Sequence, residues 1–194
     1  MADSTGDLLL RKGFRQLNKF MVLMYRTGLG RSLNAWPAVG GRILVIRHTG
    51  RTSGLARFTP VNFARVDGEI YCTAGFGAVS DWYRNLLAQP EAEVWLPDGW
   101  YQVHAEDVSD DPRRLALMRA VLKGAGFASF AAGINPYAIS DAELARTTRT
   151  YRLVRLRPGP ARTGAGGPGD LAWVWPLATC VLVPLALRRR RRAS

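Results

Sequence analysis

Short segments with alternating apolar residues, separated by turn residues, constrain the fold of this chain most strongly. The dipeptide Asp67-Gly68 is typical of a tight hairpin turn, so it predicts that the segments on either side pair as antiparallel strands. Short connections and few helices favour an α+β protein with a β-barrel of about six strands over a doubly wound sheet. The predicted strands are 42–48, 57–66, 69–74, 92–96, 100–108 and 150–157, and the predicted helices are 8–26, 81–89, 110–123 and 140–147.

The positive charge is confined to the two ends of the chain. The net charge is +12, but residues 1–51 carry +7, residues 161–194 carry +5, and residues 52–160 hold twelve residues of each sign. A nucleic-acid-binding module needs basic residues across one folded face. The neutral middle therefore argues against nucleic acid as a partner and favours a membrane surface or an acidic small molecule.

The N-terminal segment is predicted to be a basic amphipathic helix. Its apolar stripe and its basic face lie on opposite sides at helical spacing. Such a helix either binds an anionic lipid surface or packs its apolar stripe against the barrel. The stripe consists of Leu10, Phe14, Leu17, Met21 and Met24, and the basic face of Arg11, Lys12, Arg15, Lys19 and Arg26.

The C-terminal segment has a different composition from the rest of the chain. Residues 171–187 carry no charge, contain Pro176 and Pro184, and precede five arginines, 188–192. A helix of that length spans about 26 Å, short of a hydrocarbon core of roughly 30 Å. We therefore expect a cytoplasmic protein attached peripherally to the inner face of the cell membrane, with a spanning C-terminal anchor and a disordered or partner-packed tail as the alternatives. The predicted regions are a helix at 1–30, a barrel at 31–157, a Gly/Pro-rich linker at 158–170 and a tail at 171–194.

Two loops are candidates for ligand binding. The turn TGRTSG at 49–54, with Arg57 just beyond, can direct backbone N–H groups and two guanidinium groups at one anion, or it can be a solvated hairpin turn. The loop AGFG at 74–77 leads to a helix that Ser80 or Asp81 can cap, where Trp82 can pack on a ring or in the core. With two histidines and no CxxC motif, no metal site is predicted.

These motifs together resemble the deazaflavin-dependent nitroreductase/quinone reductase family. The resemblance covers about residues 15–157 and rests on NKFMVLMYRTGLG (18–30), TGRTSGLARFTP (49–60), AGFG (74–77) with SDWYRNLLAQPEAEV, and TYRLVRLRP. It implies a split β-barrel that binds reduced coenzyme F420 and passes a hydride to quinones, nitroaromatics or other electrophiles. Some members of this family associate with membranes through their N-terminal segment, which the resemblance extends to this chain as an expectation.

The resemblance assigns site residues position by position. The turn would hold the anionic tail of the cofactor, and the neighbouring strand, loop and helix would hold its ring. The implied cofactor-binding residues are Arg51, Thr52, Ser53, Gly54, Arg57, Thr59, Pro60, Ala74, Gly75, Phe76, Gly77, Trp82 and Asn85. His48 adjoins the turn and either contacts the cofactor or is structural.

The acceptor side departs from the family pattern. Where nitroimidazole-activating members place tyrosines, this chain offers Phe127 and Phe130, with Tyr137 beyond. We interpret these three residues as substrate-binding, with core packing as the alternative for the two phenylalanines. The phenylalanines favour an apolar, quinone-like acceptor over a nitro group.

Tyr83 and Tyr137 are the candidate proton donors. The alternatives are FMN as the cofactor, a non-catalytic cofactor carrier, and a nucleic-acid-binding module; no oligomeric state is predicted.

Overall fold

The structure, a computed structural model, describes the backbone of residues 5–191 and, apart from residues 5–15, 38 and 185–191, their side chains. Six antiparallel strands close into a barrel in the order β1-β2-β3-β6-β5-β4, so the α+β class and the six-stranded barrel predicted above are confirmed. Each strand lies within four residues of its predicted bounds. The strands are β1 (Ile43–Thr49), β2 (Ala56–Val66), β3 (Glu69–Ala74), β4 (Glu91–Leu96), β5 (Gly99–Asp107) and β6 (Arg152–Ala161).

The turn between β2 and β3 adopts the geometry that its sequence predicts. Asp67 has a φ of 52° and Gly68 a φ of 80°. Two successive positive φ values match the right-handed twist of a two-residue hairpin, and aspartate and glycine tolerate this conformation better than other residues. The turn therefore sets the register in which Val66 faces Glu69.

Strand β2 changes its partner halfway along. Residues 56–62 pair with β1, whereas residues 63–66 pair with β3. Strand β3 pairs with β2 only as far as Cys72, whereas its pairing with β6 on the other side extends to the pair of Ala74 with Arg152. Among the described strands, the first half of β2 thus has a strand on one side only.

Apolar side chains fill the barrel because every second residue of each strand points inward. One cluster lies inside the barrel, and a second lies between β3 and a helix on its outer face, where Met118 packs on Tyr71 and Leu153. The interior cluster includes Leu44, Ile46, Phe63, Ile70, Cys72, Val94, Val103, Val154 and Leu156.

Helices surround the barrel. The helix predicted at 110–123 begins at Arg114, because residues 110–113 form a turn in which the Asp111 carboxylate accepts the Arg113 N–H at 2.7 Å. The helices are α1 (Thr5–Arg26), α2 (Gly30–Leu33), α3 (Pro37–Gly40), α4 (Asp81–Ala88), α5 (Arg114–Gly124), α6 (Phe127–Ala131), α7 (Asp141–Thr147) and α8 (Val174–Arg191), with a 3-10 turn at Gly77–Val79.

Helix α1 packs against the barrel near its C-terminal end. Tyr25 is buried with Trp95 and Trp100, and its hydroxyl donates to the Ile43 carbonyl at 2.7 Å. Leu17, which belongs to the predicted apolar stripe, is exposed. Two further members of the stripe, Met21 and Met24, are half-buried. Its members Leu10 and Phe14, and the basic residues Arg11, Lys12 and Arg15, lie outside the described side chains.

The start of the predicted linker belongs to the barrel. Strand β6 continues to Ala161, and Val103 of β5 pairs with Pro158. Proline cannot donate a hydrogen bond to a neighbouring strand, and the register of β5 and β6 shifts between Tyr101 and Val103. The sequence pattern indicated a linker because glycine and proline usually interrupt strands, but this irregular pairing accommodates them.

The segment after β6 docks on the end of α1. Gly169 and Leu171 donate their N–H groups to the carbonyls of Tyr25 and Arg26 at 2.9 and 2.8 Å, and Trp175 Nε1 donates to the Thr27 carbonyl at 2.8 Å. Carbonyls at a helix C-terminus lack partners within the helix, so this segment caps α1. No helix within residues 5–191 is both long and apolar enough to cross a bilayer. The side chains of the terminal arginine cluster, 188–192, lie outside the described residues.

Candidate cofactor site

A cavity of about 880 Å³ opens between α1, the turn from β1 to β2, and α4. Its polar side carries basic groups of α1 and of the turn, and its apolar side carries aliphatic and aromatic groups. The lining residues are Asn18, Lys19, Val22, Leu23, Arg26, His48, Gly50, Arg51, Thr52, Ser53, Ala56, Arg57, Phe58, Thr59, Asp81, Trp82 and Asn85.

The turn at 50–54 is held closed by its own backbone. Gly50 donates to the Leu55 carbonyl at 2.9 Å, and Gly54 donates to the Gly50 carbonyl at 2.8 Å. A Cβ atom on Gly50 would lie 2.8 Å from Ser53 Oγ. Glycine at this position therefore lets the turn fold tightly enough to present Thr52 and Ser53 to the cavity.

Four basic side chains line the cavity. Arg51 forms an ion pair with Asp81 at 3.0 Å, and Arg26 forms one with Asp170 at 2.8 Å. Arg57 lies 3.4 Å from Ser53 Oγ, and no carboxylate of the described residues lies within salt-bridge distance of its guanidinium. Lys19 adds a fourth cation from α1. The arrangement suits an anionic ligand.

A chain of hydrogen bonds runs below these cations. Asn85 Oδ1 accepts the Arg51 N–H at 3.1 Å and the Arg51 Nη1–H at 2.9 Å. Asn85 Nδ2 lies 3.2 Å from His48 Nδ1, and His48 Nε2 lies 3.0 Å from Thr59 Oγ1. Burial lowers the pKa of His48 to about 4, so its imidazole is neutral at pH 7.

The structure brings some of the implied cofactor residues together and leaves others apart. Seven of them line the cavity: Arg51, Thr52, Ser53, Arg57, Thr59, Trp82 and Asn85. Gly54 borders a second cavity of about 490 Å³ instead. Pro60 is buried opposite Val45. The segment Ala74, Gly75, Phe76 and Gly77 does not line the cavity, because Gly77 packs on the Thr150 carbonyl at the far end of β3.

The candidate acceptor and proton-donor residues also lie apart from this cavity. Phe127, Phe130 and Tyr137 are exposed on and after α6, and Lys123 Nζ lies 5.4 Å from the centre of the Tyr137 ring. Tyr83 is buried, and its hydroxyl donates to Asp107. Burial, followed by the hydrogen bond to Asp107, raises the pKa of Tyr83 to about 12. None of these four side chains lines the cavity.

Sequence reasoning missed the contribution of α1 to the cavity. Asn18, Lys19, Val22, Leu23 and Arg26 form one wall. The signal was present, because Lys19 and Arg26 are seven residues apart and therefore share a helix face. The sequence pattern indicates either anionic lipid or packing of the opposite apolar stripe on the barrel, and it does not indicate a ligand cavity, because a basic helix face suits a cavity wall and an anionic bilayer equally well.

Known proteins resemble this chain in sequence and in fold. A family model described as F420H(2)-dependent quinone reductase matches residues 17–139. An F420-H2 dependent reductase, FDR-A, is 21% identical, with a TM-score of 0.40 over 60% of this chain and 94% of that chain.

Two further solved structures also resemble the chain. A conserved hypothetical protein from Mycobacterium tuberculosis, Rv2991, is 20% identical, with a TM-score of 0.42 over 65% and 85% of the two chains. The heme storage protein HutZ from Vibrio cholerae is 12% identical, with a TM-score of 0.44 over 66% and 89%. The family match alone spans well over half of the sequence, so the chain belongs to the F420H(2)-dependent quinone reductase family and is an F420-dependent oxidoreductase whose cofactor is coenzyme F420.

Proposed function

We propose that this oxidoreductase transfers a hydride from reduced F420 to an apolar, quinone-like acceptor. The observation that carries the proposal is the cavity between α1, the β1–β2 turn and α4, whose lining combines basic groups with apolar ones. Its volume of about 880 Å³ falls within the usual range for small-molecule sites, roughly 300–1,000 Å³. When bound, the reduced cofactor supplies the hydride, and the protein binds, orients and shields the reactants.

The basic residues of the turn fit the anionic tail of the cofactor. Arg51 and Arg57 offer planar guanidinium groups that match phosphate and carboxylate geometry, and Thr52 and Ser53 add hydroxyl donors. Lys19 extends the positive charge along the α1 wall. We assign tail binding to these five residues and ring binding to Thr59, Trp82 and Asn85.

The acceptor is proposed to bind against the apolar part of the same cavity. Val22 and Leu23 of α1 lie there with Phe58 of β2, whose ring also packs 5.0 Å from that of Trp95. Among the described residues no tyrosine lines the cavity, so none of them supplies a phenolic hydroxyl there to orient a nitro group. This favours a quinone over a nitroaromatic acceptor, although Phe127 and Phe130 are not part of the proposed acceptor site.

Binding of oxidised F420, followed by its fluorescence, tests the proposal directly. The variant Arg57→Gln is expected to weaken binding roughly ten- to hundredfold, because it removes a charge-assisted hydrogen bond. Arg65→Gln is the matched control, since Arg65 lies on the same strand but pairs with Asp98 away from the cavity. Failure of the wild-type protein to bind F420, or tighter binding of FMN, would contradict the proposal.

Turnover tests the acceptor separately. Oxidation of reduced F420 is measured with a panel of apolar quinones and nitroaromatics. Faster oxidation by quinones supports the proposal, and preference for nitroaromatics contradicts the acceptor assignment. Binding without oxidation by any member of the panel would indicate a non-catalytic cofactor carrier.

We also propose that α8 attaches the enzyme peripherally to an anionic membrane surface. Several large apolar side chains of the segment are exposed, among them Trp173, Trp175, Leu177, Val181 and Leu182. The five arginines at 188–192 follow them in the sequence. Exposed apolar groups combined with basic residues are typical of segments that lie at a lipid surface.

Vesicle sedimentation tests the attachment. The triple change Trp173→Ser, Leu177→Ser and Leu182→Ser is expected to abolish pelleting with anionic vesicles. The double change Phe127→Ser and Phe130→Ser removes exposed apolar groups elsewhere and is the control. Equal pelleting of both variants, or equal binding to zwitterionic vesicles, would contradict attachment through α8.

A further inference from the structure

The hydrogen-bond chain from Arg51 to Thr59 has a fixed direction. Asn85 Oδ1 accepts two hydrogen bonds from Arg51, so the carbonyl of this side chain faces Arg51 and its NH₂ group faces His48. An amide NH₂ can only donate. His48 Nδ1 must therefore accept, which places the single proton of the neutral imidazole on Nε2.

The direction of the chain determines what the Thr59 hydroxyl does. His48 Nε2–H donates to Thr59 Oγ1 at 3.0 Å. A hydroxyl that accepts one hydrogen bond still has its own hydrogen to donate. Among the described side chains no other group pairs with this hydroxyl, and Thr59 lines the cavity. Its hydrogen is thus available to a ligand.

The surroundings of His48 maintain this arrangement. The side chain is 4% exposed, and two arginines approach it: Arg57, its register partner on β2, and Arg51, through Asn85. Burial disfavours the imidazolium form most strongly, and together with the positive charge of Arg57 it outweighs a backbone hydrogen bond at Thr49 that favours this form. The neutral ring, with its orientation set by Asn85, can serve as a permanent donor to Thr59.

We propose that His48 is a positioning residue that fixes the Thr59 hydroxyl as a hydrogen-bond donor to an acceptor oxygen or nitrogen of the bound cofactor. The inference rests on the proposed site for F420. The ring assignment of Thr59 given above predicts that the acceptor atom belongs to the ring system; an atom of the phosphate-bearing tail has the same hydrogen-bonding chemistry and is the alternative. Because His48 occupies the accepting side of the Thr59 hydroxyl, the cavity favours a ligand atom that accepts a hydrogen bond from Thr59 over one that donates.

The tautomer of His48 can be measured without any ligand. A long-range proton–nitrogen NMR spectrum of the full-length, ¹⁵N-labelled protein at pH 7 is expected to show His48 protonated on Nε2 alone. His104, exposed beside Glu91, provides the comparison within the same spectrum, and the spectrum of His48→Gln assigns the signals. An Nδ1–H tautomer or an imidazolium for His48 would overturn the inference.

Binding of oxidised F420 tests the function of the pair. Thr59→Val removes the donor without changing the shape and is expected to weaken binding roughly three- to tenfold, while Thr59→Ser retains binding. His48→Leu should weaken binding in the wild-type background but not further in Thr59→Val, because His48 acts on binding only through the Thr59 hydroxyl. His48→Gln keeps an amide donor and should restore part of the affinity. His104→Leu is the control.

The outcomes separate this inference from the proposed function. If the wild type does not bind F420, both fail. If the wild type binds and Thr59→Val binds equally well, or if the effects of His48→Leu and Thr59→Val simply add, only the inference fails. A deazaflavin riboside without the tail serves as a second probe: an effect of Thr59→Val that persists with it places the acceptor on the ring, and an effect that disappears places it on the tail.

Discussion

Arg26 and Asp170, which are separated by 144 residues in sequence, form a two-pronged ion pair at the edge of the cavity. The Nε and Nη2 groups of Arg26 donate to the two carboxylate oxygens at 3.0 and 2.8 Å. Arg26 ends α1 and lines the cavity, whereas Asp170 belongs to the segment that precedes α8. The C-terminal segment, which the family match does not include, therefore supports a wall of the proposed site.

Removal of this ion pair is expected to destabilise the protein modestly. Asp170→Ala should lower the free energy of unfolding by about 0.5–1 kcal/mol, because the pair has good geometry but is partly exposed. Urea denaturation measures the change. Asp98→Ala, which breaks the more exposed pair with Arg65, is the control and should cost less. An equal cost for both changes would show that the Arg26–Asp170 pair contributes no more to stability than an exposed ion pair does.

The buried His48 should make stability depend on pH. Its pKa is about 4 in the folded protein and near 6.5 when unfolded, so the unfolded chain binds a proton that the folded chain does not bind between these values. The free energy of unfolding should therefore fall by about 3 kcal/mol as the pH drops from 6.5 to 4, and this contribution should level off below pH 4. Urea curves across this range should show a smaller fall for His48→Gln than for the wild type, and an equal fall would contradict the burial of a neutral His48.

The two cysteines should react very differently with thiol reagents. Cys72 lies in the barrel core, where burial raises the pKa of its thiol, and Cys180 is exposed on α8. Because the thiolate is the reactive form, one equivalent of reagent should react in the native protein and a second only after unfolding. Cys180→Ser should remove the first reaction and leave the second. Rapid reaction of native Cys72 would contradict the burial of β3.

Gly77 should be more sensitive to substitution than another glycine with positive φ. Gly77 has a φ of 66°, and an added Cβ atom would collide with the Thr150 carbonyl oxygen. Gly133 has a φ of 76° but open space around it. Both changes to alanine carry the cost of an unfavourable φ, so Gly77→Ala should cost about 1–3 kcal/mol more than Gly133→Ala in the free energy of unfolding. Equal costs would show that the loop shifts freely.

Local signals predicted most of the barrel. Asp67-Gly68 defined a hairpin without help from distant residues, and alternating apolar residues identified strands such as β1 and β3. The extension of β6 through Pro158 escaped prediction because it depends on the irregular pairing with β5, which no local pattern of β6 reveals.

The part of the candidate site that depends on local sequence was predicted, and the part that depends on tertiary contacts was not. Residues such as Arg51 and Ser53 lie in one compact turn whose composition indicates anion binding. Lys19 and Arg26 join them only because α1 crosses the barrel, a tertiary relationship that helical periodicity does not contain. The direction of the hydrogen bonds at His48 likewise depends on Asn85, 37 residues away in sequence.

The change of partner along β2 leaves some main-chain groups in its first half without a second strand partner. In an antiparallel pair, alternate residues direct their N–H and C=O groups toward the partner strand and the others direct them away. Residues 56–62 have β1 on one side, and four of them, Ala56 to Thr59, line the cavity. A ligand lying along this edge can be recognised by the peptide backbone itself. Main-chain hydrogen bonds to a ligand do not depend on the identity of the side chains. The side chains around this edge can therefore change in evolution while the backbone contacts with the ligand are retained.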